Sequence, residues 1–116
     1  MITLIVTLQI KPDRLFDFID ETRIVRDKTL ALEIGCKAYT INNGDKEDEI
    51  VLVEVYEGNS IGLSDTMPLT ALDKHKDAQY FLEWKRNTSN MILGKTVISY
   101  VSIQDPNVKQ IPHPLG

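Results

Sequence analysis

The stretch that decides the fold is "EIGCKAYTIN", residues 33–42, because it joins a predicted helix to a predicted strand. Gly35 is a typical residue to follow the last turn of a helix. From Cys36 to Asn42 the residues have the composition of a short strand. We therefore predict that the chain changes from helix to strand at Gly35, and the other elements are placed outward from that residue.

The segment before this junction predicts one strand and one helix. Residues 2–10, "ITLIVTLQI", alternate with a period of two, which indicates a half-buried strand. Pro12 suits the first turn of a following helix. Apolar residues then recur at helical spacing from Leu15 to Val25, so we expect a helix that runs to about Leu32.

The segment after the junction predicts two strands and a second helical region. Residues 43–49, "NGDKEDE", form a polar turn, and the apolar run "IVLVEVYE" that follows indicates a strand near the middle of a sheet. Helical spacing returns from Leu69, with a break expected near His75 and Asp77 as the cap of a second segment. The run "KTVISYVSI", residues 95–103, is the last strand.

The order of these elements, βαββαβ, predicts an α+β, ferredoxin-like fold with a four-stranded antiparallel sheet. Both helices then lie on one face of the sheet, and the other face needs a cover, such as a second subunit or a ligand. We assign residues 1–104 to this domain and residues 105–116 to a Pro-rich tail. On the bare face we expect Thr3, Ile5 and Thr7, together with either Val97, Ser99 and Val101 or Ile98 and Tyr100.

Composition excludes several classes of function. A formal net charge of -4 argues against nucleic-acid binding, which needs a basic surface. No apolar run approaches the roughly 20 residues of a membrane-spanning helix. The first residues do not resemble a signal peptide, and one cysteine cannot form an internal disulfide. We therefore expect a cytoplasmic protein.

Three short motifs resemble the antibiotic biosynthesis monooxygenase family. They are "E-I-G-C-x-x-Y" at residues 33–39, "V-E-V-Y-E" at residues 53–57 and "A-L-x-x-H" at residues 71–75. The resemblance covers about residues 1–103. It implies the dimeric α/β barrel superfamily, in which two ferredoxin-like subunits form a homodimer. Members oxidise quinols or anthrone-type polyketides with dioxygen and use neither metal nor flavin.

The resemblance also implies candidate site residues. His75 matches the family's first histidine and is the candidate base, with Glu54 as a second catalytic candidate. The substrate-binding candidates are Tyr39, Tyr80, Trp84 and Tyr100. Two features depart from the family pattern: Tyr80 stands where many members have a second histidine, and the loop at residues 58–68 is longer than usual. No histidine pair or second cysteine has the spacing of a metal site, so we predict neither metal nor cofactor.

Each candidate also has a purely structural interpretation. His75 could be a solvated histidine at a helix end. Glu54 could form an ion pair in a dimer interface, and Tyr80 could lie on the surface. Trp84 is expected to belong to the core together with Phe81. The lone Cys36 is interpreted as a buried structural residue rather than a reactive thiol.

The leading functional hypothesis is a cofactor-independent monooxygenase that oxidises a small quinol or polyketide-like aromatic. The alternative is a non-enzymatic, dimeric small-ligand-binding or stress-associated protein on the same fold. A third possibility, an isomerase of a small phosphorylated compound, would need cationic phosphate ligands. Haem is not expected, because the haem-degrading relatives use an asparagine on the first strand and this strand has none.

Overall fold

A computed structural model describes residues 1–58 and 71–103 of the chain and confirms the ferredoxin-like arrangement. The strands are antiparallel and lie in the order β2-β3-β1-β4, so β3 occupies the middle of the sheet as predicted, with β1 beside it. The elements are β1 (Ile2–Ile10), α1 (Leu15–Leu32), β2 (Cys36–Asn43), β3 (Glu49–Tyr56), α2 (Ala71–Asp77), α3 (Gln79–Thr88) and β4 (Ile92–Val101), with 3₁₀ turns at Pro12–Arg14 and Ser89–Met91.

The junction between α1 and β2 is where the sequence placed it. Helix α1 ends at Leu32, and the Glu33 amide donates to the Thr29 carbonyl at 2.9 Å. Gly35 has a packing role in addition to ending the helix, since a Cβ atom at this position would collide with the Cβ atom of Ala71. The absence of a side chain at Gly35 therefore lets α2 approach the junction closely.

The register of β4 settles which of its side chains face the helices. Thr3 pairs with Tyr100 and Ile5 pairs with Ile98, so Ile98 and Tyr100 share the bare face with the odd-numbered residues of β1. Val97 pairs with Val6, whose side chain is buried beneath the helices. The sequence left two sets of β4 residues open for the bare face, and the structure places Ile98 and Tyr100 there.

The second helical region breaks at a different residue from the one expected. Ala78 has extended backbone angles, φ −66° and ψ 136°, and separates α2 from α3. His75 lies inside α2 rather than at a break, and Asp77 is the last residue of α2 rather than a cap. The prediction of a break near His75 is therefore wrong by about one turn, and His75 is held by a regular helix.

The predicted tail at residues 105–116 and most of the loop at residues 58–68 lie outside the described residues. Within the described ranges, no helix combines the length and the apolar character needed to cross a membrane. The core lies between the sheet and the helices, where alternate residues of β1 pack against Phe18 and Val25 of α1 and against Leu72 and Trp84.

Candidate functional site

His75 is buried between the second helical region and the sheet. Only 2% of its surface is exposed. Its ring centroid lies 4.7 Å from that of Phe81, 5.3 Å from that of Tyr56 and 6.4 Å from that of Tyr39. The interpretation of His75 as a solvated histidine at a helix end is therefore wrong, because three aromatic rings enclose it.

Glu33 fixes the orientation of the His75 ring. The Nδ1 atom of His75 lies 3.1 Å and 3.0 Å from the two carboxylate oxygens of Glu33. An ionised carboxylate can only accept hydrogen bonds, so Nδ1 must carry the proton in this contact. The Nε2 atom of the neutral ring is then unprotonated and holds a lone pair, which is the form that a general base requires.

The Nε2 atom of His75 is buried and has no hydrogen-bond partner among the described residues. The nearest acidic oxygen, Oε1 of Glu54, lies 3.8 Å away, which is beyond hydrogen-bonding distance. A buried polar atom without a partner destabilises the fold and is rare in proteins. A hydrogen-bond donor placed beside Nε2 would satisfy this atom.

Glu54 projects from β3 toward the helices, where it is held by Tyr56. The Tyr56 hydroxyl donates to Oε1 of Glu54 at 2.5 Å. Burial raises the pKa of Glu54 above its usual range, against the opposing effects of Tyr56 and His75. Because Glu54 pairs with Leu4 across the sheet, it faces the helices and not the bare face, and an ion pair across that bare face is not available to it.

Tyr80 contacts Glu33 rather than the space beside Nε2. Its hydroxyl donates to Oε2 of Glu33, the same oxygen that accepts from His75. Burial, followed by the hydrogen bond to Glu33 and then by the charge of Glu33, raises the pKa of Tyr80, so the phenol stays protonated and acts as a donor. Tyr80 therefore acts on the Nδ1 side of His75, away from Nε2. It helps to fix the Glu33 carboxylate, which in turn orients the His75 ring.

A cavity of about 350 Å³ opens beside His75. Its volume is at the lower end of the range of roughly 300–1,000 Å³ found for small-molecule sites. Apolar side chains from the sheet and the helices form most of the wall, and polar groups converge at His75 and Glu54. The lining residues are Leu4, Val6, Tyr39, Leu52, Glu54, Leu72, His75, Lys76, Phe81, Leu82, Trp84, Lys85, Lys95 and Val97.

The structure brings most of the candidate site residues to this cavity. His75, Glu54, Tyr39 and Trp84 line it. Tyr80 does not line the cavity but contacts Glu33, which binds His75. Tyr100 lies on the opposite face of the sheet and is 57% exposed. Within a single subunit, Tyr100 therefore cannot contact a ligand that is bound beside His75.

Trp84 both lines the cavity and belongs to the core. Its indole N–H donates to the Thr22 hydroxyl at 3.0 Å, and its ring stacks on Phe81 with centroids 5.7 Å apart. The hydrogen bond ties α3 to α1 and fixes the indole against the cavity. The prediction that Trp84 and Phe81 pack together is confirmed.

Cys36 is a buried residue at the start of β2, as interpreted from the sequence. Its thiol donates to the Ala38 carbonyl. Burial, with the nearby charges of Glu33 and Glu54, raises the pKa of Cys36 to about 11. A reactive cysteine needs a lowered pKa, so Cys36 has the properties of a structural residue.

Sequence reasoning missed the roles of Glu33 and Tyr56, although both lie within the quoted motifs. Glu33 opens the "E-I-G-C" motif, 42 residues before His75, and nothing in the local pattern indicates their contact. Tyr56 was two positions from Glu54, a spacing that puts both side chains on one face of a strand and could have predicted their hydrogen bond.

Among residues 1–58 and 71–103, no group of acidic, histidine or cysteine side chains is arranged to hold a metal ion.

Comparisons with known proteins agree with this architecture. A solved structure from Nitrosomonas europaea, whose name places it among the antibiotic biosynthesis monooxygenases, superposes with a TM-score of 0.72 at 20% identity and covers 90% of this chain and 100% of its own. A similarly named structure from Caulobacter crescentus CB15 gives a TM-score of 0.74 at 19% identity, with 89% and 90% covered.

A protein from Mycobacterium tuberculosis gives a TM-score of 0.72 at 19% identity, with 90% of this chain and 97% of its own covered. At these identities the likeness establishes the fold, and no curated protein matches the chain. The family model for antibiotic biosynthesis monooxygenases matches residues 1–87. Since that match spans most of the 116 residues, the chain belongs to the antibiotic biosynthesis monooxygenase family.

Proposed function

We propose that the protein is a cofactor-independent monooxygenase that oxidises a small quinol or polyketide-like aromatic with dioxygen. The observation that carries this proposal is the unpartnered Nε2 atom of His75, which is buried beside an apolar cavity. A phenol or an activated C–H group placed in the cavity would meet a lone pair that no other described group uses. His75 is the proposed base.

Two carboxyl groups lie on either side of the His75 ring. When Nε2 accepts a proton, the imidazolium lies between Glu33 at 3.0 Å and Glu54 at 3.8 Å. Of the two carboxylates, Glu33 is the positioning group, and Glu54 is proposed to help carry the proton away from Nε2.

The proposed reaction needs no electron carrier other than the substrate. His75 removes a proton, and the electron-rich anion that results reacts with dioxygen to form a peroxide at carbon. Loss of water from that peroxide converts the ring CH₂ of an anthrone into a carbonyl. One oxygen atom enters the product, the other leaves as water, and the anthrone supplies both the hydrogens and the electrons.

We further propose a homodimer in which the bare faces of two sheets pack together. Ile98 is 46% exposed on this face, and Ile5, Val53 and Val55 lie beside it. An apolar sheet face of this kind needs a cover, and a second copy supplies one. The proposal assigns residues 1–104 to the dimeric domain and places the protein in the cytoplasm, where a free thiol such as Cys36 stays reduced.

One observation favours the alternative of a ligand-binding protein without turnover. The Tyr80 hydroxyl is engaged by Glu33, so it does not replace the second histidine of other members as a proton carrier within the cavity. If proton transfer needs two cavity groups, Glu54 must supply the second. Replacement of Glu54 by Gln would then abolish turnover while leaving ligand binding intact.

The test is dioxygen consumption by the purified protein with anthrone, dithranol and a set of benzene- and naphthalene-quinols. The proposal expects uptake above the rate without enzyme, with an anthraquinone and water formed from the anthrones and a hydroxylated quinone and water formed from the quinols. If the wild-type protein consumes no dioxygen with any member of the set but binds these compounds, the ligand-binding alternative replaces the monooxygenase.

A further inference from the structure

Three lysines line the same cavity as His75. They come from three different elements: Lys76 from α2, Lys85 from α3 and Lys95 from β4. All three side chains are exposed, whereas His75 and Glu54 are buried in the cavity wall. The cavity therefore has exposed, positively charged lysines in its lining and a buried, mostly apolar part that holds His75 and Glu54.

This group of lysines is not explained by the composition of the protein or by local ion pairing. The chain as a whole carries a formal net charge of -4, so a cluster of cations at one cavity runs against the average. Within residues 1–58 and 71–103, no ion pair involves Lys76, Lys85 or Lys95. Among the described lining residues the acidic one is Glu54, whose carboxylate accepts from Tyr56 and also lies within the influence of the Lys95 charge.

We infer that the ligand of this cavity is an aromatic acid, with its carboxylate among Lys76, Lys85 and Lys95 and its phenolic end at Nε2 of His75. This inference rests on the proposed function for the role of His75 and adds the substrate class. A planar ring suits the apolar wall between Leu72 and Phe81. The lysines would bind the carboxylate end of the ligand and His75 would bind the phenolic end. This difference fixes the orientation of the ligand in the cavity.

Electrostatics sets the expected size of the effect. Two opposite unit charges in contact attract weakly in bulk water and several times more strongly near a protein surface. Exposed side chains lose part of this through mobility and salt screening. Together the three lysines should favour an acid over its uncharged amide by roughly tenfold in dissociation constant at low salt.

The test compares 6-hydroxy-2-naphthoate with its neutral carboxamide, 6-hydroxy-2-naphthamide, by calorimetric titration. The two probes share the ring and the phenol and differ in charge. The protein variants are a triple one, Lys76→Gln, Lys85→Gln and Lys95→Gln, and a control one, Lys11→Gln, Lys28→Gln and Lys46→Gln. The control removes the same net charge at positions that do not line the cavity.

The inference expects the acid to bind roughly tenfold more tightly than the amide to the wild type and to the control variant. In the triple cavity variant the ratio should fall to about twofold or less, and about 0.5 M salt should reduce the wild-type ratio in the same direction. Equal binding of the two probes, no binding of either, or an unchanged ratio in the cavity variant overturns the inference.

Because these titrations need no turnover, they separate the two proposals. An acid preference without dioxygen uptake would remove the monooxygenase and keep the aromatic acid as the ligand. Dioxygen uptake without an acid preference would keep the monooxygenase and remove the aromatic acid as the ligand.

Discussion

Replacement of His75 tests both its structural and its chemical role. In His75→Ala a side chain with 2% exposure and three aromatic neighbours is removed, and Glu33 loses the ring that it binds. Large-to-small changes in a core cost about 2–5 kcal/mol. Because domains of this kind are stable by roughly 5–15 kcal/mol, we expect His75→Ala to fold with a clearly lowered urea midpoint.

His75→Gln is the better variant for activity, because an amide preserves more of the volume and can still donate to Glu33. It cannot act as a base. Dioxygen uptake with anthrone should fall by roughly 10²- to 10⁴-fold, the usual contribution of a positioned acid or base. That loss corresponds to about 2.7–5.4 kcal/mol in the activation free energy.

The control is the same substitution at the chain's other histidine, His113→Gln, which should keep the wild-type rate. Circular dichroism and a urea transition with unchanged slope establish that each variant is folded before its rate is compared. If folded His75→Gln consumes dioxygen at the wild-type rate, the reasoning is refuted, and the proton must leave through another group such as Glu54.

Three further predictions concern residues around the site and on the bare face. Burial raises the pKa of Glu54 above 4.5, so the folded state binds this proton more tightly than the unfolded chain does. The wild-type protein therefore loses stability as the pH rises from 4.5 through the raised pKa, because the folded state must then either hold a buried charge or keep a proton that the unfolded chain has released. Glu54→Gln should therefore gain stability relative to the wild type as the pH rises above 4.5, measured by urea unfolding at a series of pH values, and an unchanged difference would contradict this. Trp84→Phe loses the hydrogen bond to Thr22 and should lower the free energy of unfolding by about 1–3 kcal/mol, measured in urea; a change near zero would show that this bond contributes little. Ile98→Lys puts a charge on the bare face and should convert the proposed dimer into a monomer in sedimentation, whereas a wild type that is already monomeric would refute the dimer.

The elements that could be predicted from the sequence are those with a strong local signal. The alternation of residues 2–10 and Gly35 after α1 placed β1, α1 and β2. The break at Ala78 could not be predicted in the same way, because alanine favours helix, whereas the backbone of Ala78 is extended. The phase of β4 was also open, since both alternatives present apolar residues and only its pairing with β1 decides between them.

The sequence predicted which residues belong to the candidate site better than it predicted how they contact one another. The motifs pointed to His75 and Glu54, but burial of His75 depends on Tyr39, Tyr56 and Phe81 meeting around it. These rings come from two strands and a helix, and sequence spacing gives no distance between them. The same limit explains why Tyr100 was grouped with the site, although the pairing of β4 turns it to the other face.

The central claim is that dioxygen is the source of the oxygen atom that the protein adds to an aromatic substrate bound beside His75. The most direct measurement is turnover of anthrone under ¹⁸O₂ with mass spectrometry of the quinone and an assay for hydrogen peroxide. We predict one labelled oxygen atom in the product, little peroxide, and loss of the labelled product in His75→Gln. Unlabelled product, peroxide in proportion to the dioxygen consumed, or labelling that persists at the full rate in His75→Gln would contradict it.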